Sequence, residues 1–258
     1  MNERLTNYLK GESKDELAPP EPEGNRFEEL QEPMERILES IRPHIERGEY
    51  RVLIGDDASG RIPTHILSRV IKSAYDKRGF PHPLTLYFAG NRGAQPDTER
   101  TEIAQRFSPH LDALAGDKSA RALFITDIIA SGATLANVTP ILKDKNVSFD
   151  IAAIGHLRRH DGNASSVDEL EERFGGSVYF GMEEMPTSVF SNRRVSGVAK
   201  KTGSTLAMPS VGQEFAWTPW DAREGPITQE QINEARRDGT ELARRLYESF
   251  EKGSEEQS

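Results

Sequence analysis

Ala122-Leu123-Phe124-Ile125-Thr126-Asp127-Ile128-Ile129-Ala130-Ser131-Gly132-Ala133-Thr134 is the stretch on which the fold turns. Residues 122–126 form a short apolar run of the kind that makes a buried strand, and the run ends on an acid, Asp127. Ala130 to Thr134 then offer successive backbone N–H groups, side chains small enough for close approach, and two hydroxyls beside an expected helix N-terminus. Such a turn suits a phosphate, which the amides and the positive end of the helix dipole both favour. Leu135, Val138, Ile141 and Leu142 mark the helix that follows. Pro140 predicts that this helix kinks or begins late, near Thr139.

The same alternation extends outward in both directions. Met34, Ile37, Leu38, Ile41 and Ile45 recur at helical spacing after Pro33, with Pro43 expected to kink or end that helix. Residues 51–55 read as a strand, 56–60 as a turn, and Ile62 to Ala74 as a helix. A second strand is expected at 84–89, then a long polar stretch holding one short helix around 99–107. A fourth strand over 151–157, a helix over 167–174 and a fifth strand over 177–181 complete the core. Apolar strands alternating with helices predict an α/β fold, a mostly parallel sheet with helices on both faces. In such a sheet ligands bind beyond the carboxyl ends of the strands, so residues 56–61, 90–93, 127–134 and 156–160 should converge on one rim.

The stretch 122–134 resembles the thirteen-residue signature of type I phosphoribosyltransferases, which bind 5-phosphoribosyl 1-pyrophosphate (PRPP). Twelve positions fit; Thr126 stands where the family has the first of two acids. The resemblance spans residues 35–181. It implies that Thr126 and Asp127 meet the ribose hydroxyls and that Ala130, Ser131, Gly132, Ala133 and Thr134 hold the 5′-phosphate. It also implies a pyrophosphate loop at Asp57, Ala58, Ser59, Gly60 and Arg61, a lid over residues 93–118, and Mg²⁺ held mainly by PRPP oxygens and water, with Asp56 or Asp57 ordering the water shell. The expected reaction moves ribose 5-phosphate onto a small, nucleobase-like acceptor with release of pyrophosphate, Arg61 and Asp127 carrying the charge. The alternative is a noncatalytic PRPP- or nucleotide-binding regulator of the same fold, which the Thr126 departure favours. Ala130 occupies a position where some members carry an aspartate base.

Several residues keep a plainer reading beside the functional one. Asp56 and Asp57 equally serve as caps of the following turn. His156 and Arg158 are candidates for the acceptor pocket at the exit of the fourth strand, or ordinary packed and exposed residues. The His156/His160 spacing binds metal only on a helix, so no zinc site is expected. Residues 116–119 lack the earlier glycine of a P-loop, and no dinucleotide-binding glycine pattern opens a helix.

The 258-residue chain has room for one principal core. Residues 1–26 are expected to be a disordered tail, 33–185 the core, 186–226 a basic hood or flap, 227–252 a terminal helix packed on the core, and 253–258 a tail. Thr228 and Gln231 fit a capping box for that helix, and Gly253 reads as its stop. The net charge of −9 argues against nonspecific nucleic-acid binding. Arg193, Arg194, Lys200 and Lys201, with no acid between Met185 and Gln213, nevertheless form an electropositive island. No apolar run is long enough to cross a bilayer and no secretory leader opens the sequence, so a cytoplasmic protein without a membrane partner is expected. The absence of cysteine excludes thiolate metal sites and cysteine nucleophiles. A homodimer is compatible with these features.

Overall fold

The computed structural model describes residues 25–56, 60–88, 105, 108–112, 114, 117, 119–130, 132–156, 166–183 and 228–256. Five strands, β1 (Tyr50–Asp56), β2 (Leu84–Phe88), β3 (Arg121–Ile129), β4 (Ser148–His156) and β5 (Ser177–Phe180), form one sheet in the order β2-β1-β3-β4-β5. Every pairing is parallel. The helices are α1 (Gln31–Glu46), α2 (Arg61–Arg78), α3 (Ala133–Asp144), α4 (Val167–Phe174) and α5 (Gln229–Glu256).

Both faces of the sheet are covered, as continuous apolar strands require. Leu53, Leu123, Ile125 and Ile154 meet Met34, Ile41, Ile66, Val70, Leu246 and Phe250 of α1, α2 and α5. On the other face Ile54, Phe124, Ile151 and Ala153 meet Leu135, Val138, Leu170 and Phe174 of α3 and α4. The expected hood at 186–226 lies outside the described residues, as do residues 1–24 of the expected tail. Most of the expected lid does too. Within that stretch the described helical residues are Gln105, inside the helix expected at 99–107, and 108–112 just beyond it; the rest of 99–107 lies outside the described residues.

Two expectations, about Pro140 and Gly253, are corrected. Pro140 lies inside α3, which begins at Ala133 rather than near Thr139. The first turn of α3 is closed by the Ala136 N–H on Gly132 O, so the missing donor at Pro140 costs a hydrogen bond without stopping the helix. Pro43, expected to kink or end α1, sits within its last turn, and the helix ends at Glu46. Gly253 does not end α5, which runs to Glu256. Its role is steric: a Cβ there would lie 2.9 Å from the guanidinium of Arg42. Arg42 donates to Phe250 O at 2.8 Å and to Ser254 Oγ at 2.6 Å, and lies 4.0 Å from the centroid of the Phe250 ring.

The capping box of α5 forms as expected: Thr228 Oγ1 accepts from Gln231 N–H, and Gln231 Oε1 accepts from Thr228 N–H. Ion pairs then pin the helix along its length. Arg26, within the expected tail, reaches Asp238 at 2.7 Å and Glu234 at 3.0 Å, so this end of the expected tail is held on α5. At the far end Glu251 receives Lys77 at 2.5 Å and Arg78 at 2.8 Å from α2, and these partners hold its carboxyl below the usual range against the cost of burial. Gly239, in mid-helix, lets α5 close on α2: a Cβ there would stand 3.2 Å from His65 Cδ2 and 3.6 Å from Ile66 Cγ1.

At the amino ends of the strands Asp150 is fully buried and takes hydrogen bonds from Tyr50 Oη at 2.8 Å and Arg121 Nε at 2.8 Å. Burial and the adjacent carboxylate raise the Tyr50 phenol far above its ordinary value, so it is a permanent donor. This polar knot ties β1, β3 and β4 together opposite the candidate site.

Candidate functional site

The strand order reverses between β1 and β3, because the chain runs outward from β1 to β2 and then crosses back to β3. That reversal is where a doubly wound sheet opens a ligand crevice. β1 and β3 pair as far as Gly55 and Ile125, whereas β3 remains paired with β4 as far as Ile129 and His156, so β3 runs on past β1 from Thr126. A ligand crevice at this reversal would begin at Thr126. The facing of side chains changes phase at the same place: Leu123, Ile125 and Ile128 pack on the α2 side, Phe124 and Ile129 on the α3 side.

Asp56 closes β1 and Thr126 lies across from it, with Thr126 Oγ1 donating to Asp56 Oδ2 at 3.3 Å. The turn after Asp56 folds back tightly, Gly60 N–H donating to Asp56 O at 2.8 Å. A Cβ on Gly60 would come within 2.5 Å of Asp56 N and of Ile125 O, so only glycine lets this turn lie against β3. Arg61, the first residue of α2, is drawn sideways, its guanidinium 5.0 Å from the centroid of the Tyr87 ring at the end of β2. Asp57, Ala58 and Ser59 lie outside the described residues.

On the other side of the crevice the strand is longer than the sequence suggests. Asp127 falls within β3 rather than at its end, is 2% exposed, and accepts the following N–H, of Ile128, at 2.6 Å. Thr126 is 3% exposed. Ala130 is exposed, Ala133 and Thr134 are half-buried, and Ser131 lies outside the described residues. Gly132 stands at the N-cap of α3 with φ +70°, a left-handed conformation that glycine adopts without strain. The ring of Phe174 covers Gly132; a Cβ there would meet Phe174 Cζ at 2.6 Å. No acid sits in the first turn of α3, which keeps the positive end of its dipole uncompensated from within.

No family model matches the chain, and no curated protein matches it. The fold brings Asp56, Gly60 and Thr126 together at the crevice and sets Asp127, Gly132, Ala133 and Thr134 along the continuing strand and the start of α3. His156 ends β4 beside Ile129, 7% exposed and stacked on Phe180 with centroids 5.4 Å apart. Burial lowers its pKa, so the neutral ring is favoured. Arg158 lies outside the described residues. Among the described residues no three His, Asp or Glu side chains group as a cage for a metal ion.

Three participants are not evident from sequence. Tyr87 holds Arg61, Phe174 covers Gly132, and Asp56 pairs with Thr126 rather than only capping the turn. Phe174 is visible along the chain as part of the apolar stripe of α4 with Leu170. Its meeting with Gly132, 42 positions earlier, belongs to tertiary structure.

Proposed function

We propose that this chain binds PRPP at the β1–β3 crevice and transfers its ribose 5-phosphate to a small acceptor, releasing pyrophosphate. The observation that carries the reading is the position of the opening. β3 parts from β1 at Thr126, inside the stretch that resembles the PRPP signature, and Asp56, the last residue of β1, stands across from it.

In this reading the amides of residues 130–134 and the N-terminus of α3 hold the 5′-phosphate. Asp127 accepts from a ribose hydroxyl. The acid missing at Thr126 is replaced across the crevice by Asp56, so two carboxylates flank the sugar from two strands rather than one. The amides of residues 57–60 and Arg61 stabilise the departing pyrophosphate, with Arg61 leaving its seat on Tyr87 to do so. Asp56 is the described carboxylate suited to order water around Mg²⁺. Since no described cluster could cage the ion unaided, most of its ligands would be PRPP oxygens and water, and its contribution would be neutralisation of pyrophosphate charge.

A second reading, a PRPP- or nucleotide-binding regulator without turnover, is favoured by the engagement of Thr126 with Asp56 and by the burial of Asp127. The two separate in one assay. Purified protein with Mg²⁺, PRPP and a pool of nucleobases should release pyrophosphate, and Asp127→Asn should abolish the release. Saturable PRPP binding by calorimetry without pyrophosphate would select the regulator, and absence of PRPP binding would remove both.

A further inference from the structure

The face formed by α2 and α5 carries a second polar cluster, away from the Thr126–Asp56 contact. His65 and Arg69 follow one another at i and i+4 on α2, one and two turns beyond Arg61, and Arg236 and Thr240 stand at i and i+4 on α5. Residues so spaced share one helix face. Gly239 brings the two stripes together, its missing side chain leaving room for the His65 ring. His65 Nε2 lies 3.2 Å from Thr240 Oγ1 and accepts from Arg69 Nε at 3.3 Å, while Thr240 Oγ1 donates to Arg236 O at 2.7 Å.

What distinguishes this cluster is its charge balance in a chain of net charge −9. Most described arginines find a carboxylate: Arg26, Arg36, Arg42, Arg47, Arg78, Arg121, Arg244 and Arg245 all do. Among the described residues, Arg69 and Arg236 have no acid within ion-pair distance, and both are exposed, Arg69 one helix turn from His65 and Arg236 one helix turn from Thr240. Arg69 instead donates to a neutral imidazole. Burial first, then the charge of Arg69 and more weakly that of Arg236, push His65 down to about 4, against a hydrogen bond to the Arg236 backbone that opposes the shift. Like charges are thus gathered where no described carboxylate relieves them.

We propose that Arg69, Arg236 and His65 form an anion site for a compact phosphate group, either free phosphate or a phosphomonoester. Two guanidiniums and a histidine that gains a proton supply charge-assisted donors in number suited to one phosphate group. The acidic remainder of the chain disfavours an extended polyanion at the same place. The phosphate would bring the negative charge that no described carboxylate supplies to Arg69 and Arg236, and Arg69 would turn from His65 to it as the imidazole takes up a proton. This assignment is independent of the crevice between β1 and β3.

The test follows the His65 ring by NMR in the full chain, with the signal assigned by its loss in His65→Gln. Inorganic phosphate and ribose 5-phosphate are titrated in separate arms, with sodium chloride at matched ionic strength as control. Expected is a saturable upward shift of the His65 pKa by at least about one unit, equivalent to about tenfold tighter binding to the protonated ring. The shift should vanish in Arg69→Gln/Arg236→Gln and persist in Asp127→Asn, which separates this site from the crevice. A larger response to ribose 5-phosphate assigns a phosphomonoester ligand, and an equal or larger response to inorganic phosphate assigns the free anion. An equal shift with chloride, a shift that survives the double variant, or none at all overturns the proposal.

Discussion

Gly60→Ala tests the approach of the β1 turn to β3. Gly60 has φ −83° and ψ −7°, a conformation alanine adopts freely, so the backbone itself raises no objection. Where space allows, such a replacement stabilises by about 0.4–1 kcal/mol through the unfolded chain. Here the new methyl would meet Asp56 N and Ile125 O at 2.5 Å and Asp56 O at 2.6 Å, all backbone atoms that no side-chain rotation can move. Relief requires the turn to retreat by roughly half an ångström or more, at the expense of the Gly60 N–H bond to Asp56 O. Overpacking of this kind costs about 1–3 kcal/mol, which outweighs the entropic gain.

Gly79→Ala supplies the contrast, since Gly79 has φ +73° and no atom lies within 4 Å of where the new methyl would stand. That variant meets only left-handed backbone strain of about 1–2 kcal/mol, remote from the crevice. Urea unfolding should therefore show a lower midpoint for both variants at unchanged slope. Only Gly60→Ala should also weaken PRPP binding. A Gly60→Ala protein as stable as the parent, or more so, would refute the close approach of turn and strand. Full PRPP affinity despite lost stability would take the turn out of the binding site.

Thr126→Asp, which restores the family pattern, places a second carboxylate beside Asp56 Oδ2; it should lower stability at neutral pH by about 1–3 kcal/mol, and calorimetric melts should show the loss shrinking as pH falls below 5. Asp150→Ala strips the buried acceptor from Tyr50 and Arg121 and should cost about 3–5 kcal/mol in denaturant unfolding, with loss of the parallel register at the amino ends of β1, β3 and β4 visible by amide exchange. His65, near 4 in the folded chain and near 6.5 when unfolded, favours folding fully above pH 6.5; that contribution, about 2–3 kcal/mol, falls away as pH drops from 6.5 to 4, and His65→Gln should flatten this part of the stability profile. Glu251, held low by Lys77 and Arg78, loses its contribution only as pH falls below the ordinary glutamate range, so the two groups separate along the pH axis.

The strand–helix alternation was legible because the central strands are buried on both faces and so appear as unbroken apolar runs, as residues 122–125 and 151–154 do. The capping box of α5 was legible because its chemistry is local: Thr228 with Gln231 needs only a three-residue spacing. Element ends were less so. Asp127 reads as a strand terminus because it is polar, yet pairing with β4 carries β3 two residues beyond it, to Ile129. Gly253 and Gly239 read as a stop and a weak point in α5. Both are contact positions, chosen by Arg42 and His65 on other helices, and no window of local sequence contains those partners.

The departure at Thr126 changes meaning for the same reason. Along the chain, set beside the phosphoribosyltransferase signature it resembles, it is a threonine in place of an acid. Across the sheet it is a hydroxyl donating to Asp56, the last residue of a different strand, at the point where β1 and β3 separate. A second carboxylate at position 126 would confront Asp56 directly in a buried setting, which is costly without a cation between them. A single acid at each wall avoids that conflict while keeping two acceptors at the crevice. Thr126 and Asp56 are therefore best treated as one unit. Replacing Asp56 alone should damage PRPP binding more than replacing Thr126 alone, an order that reading the signature along β3 would reverse.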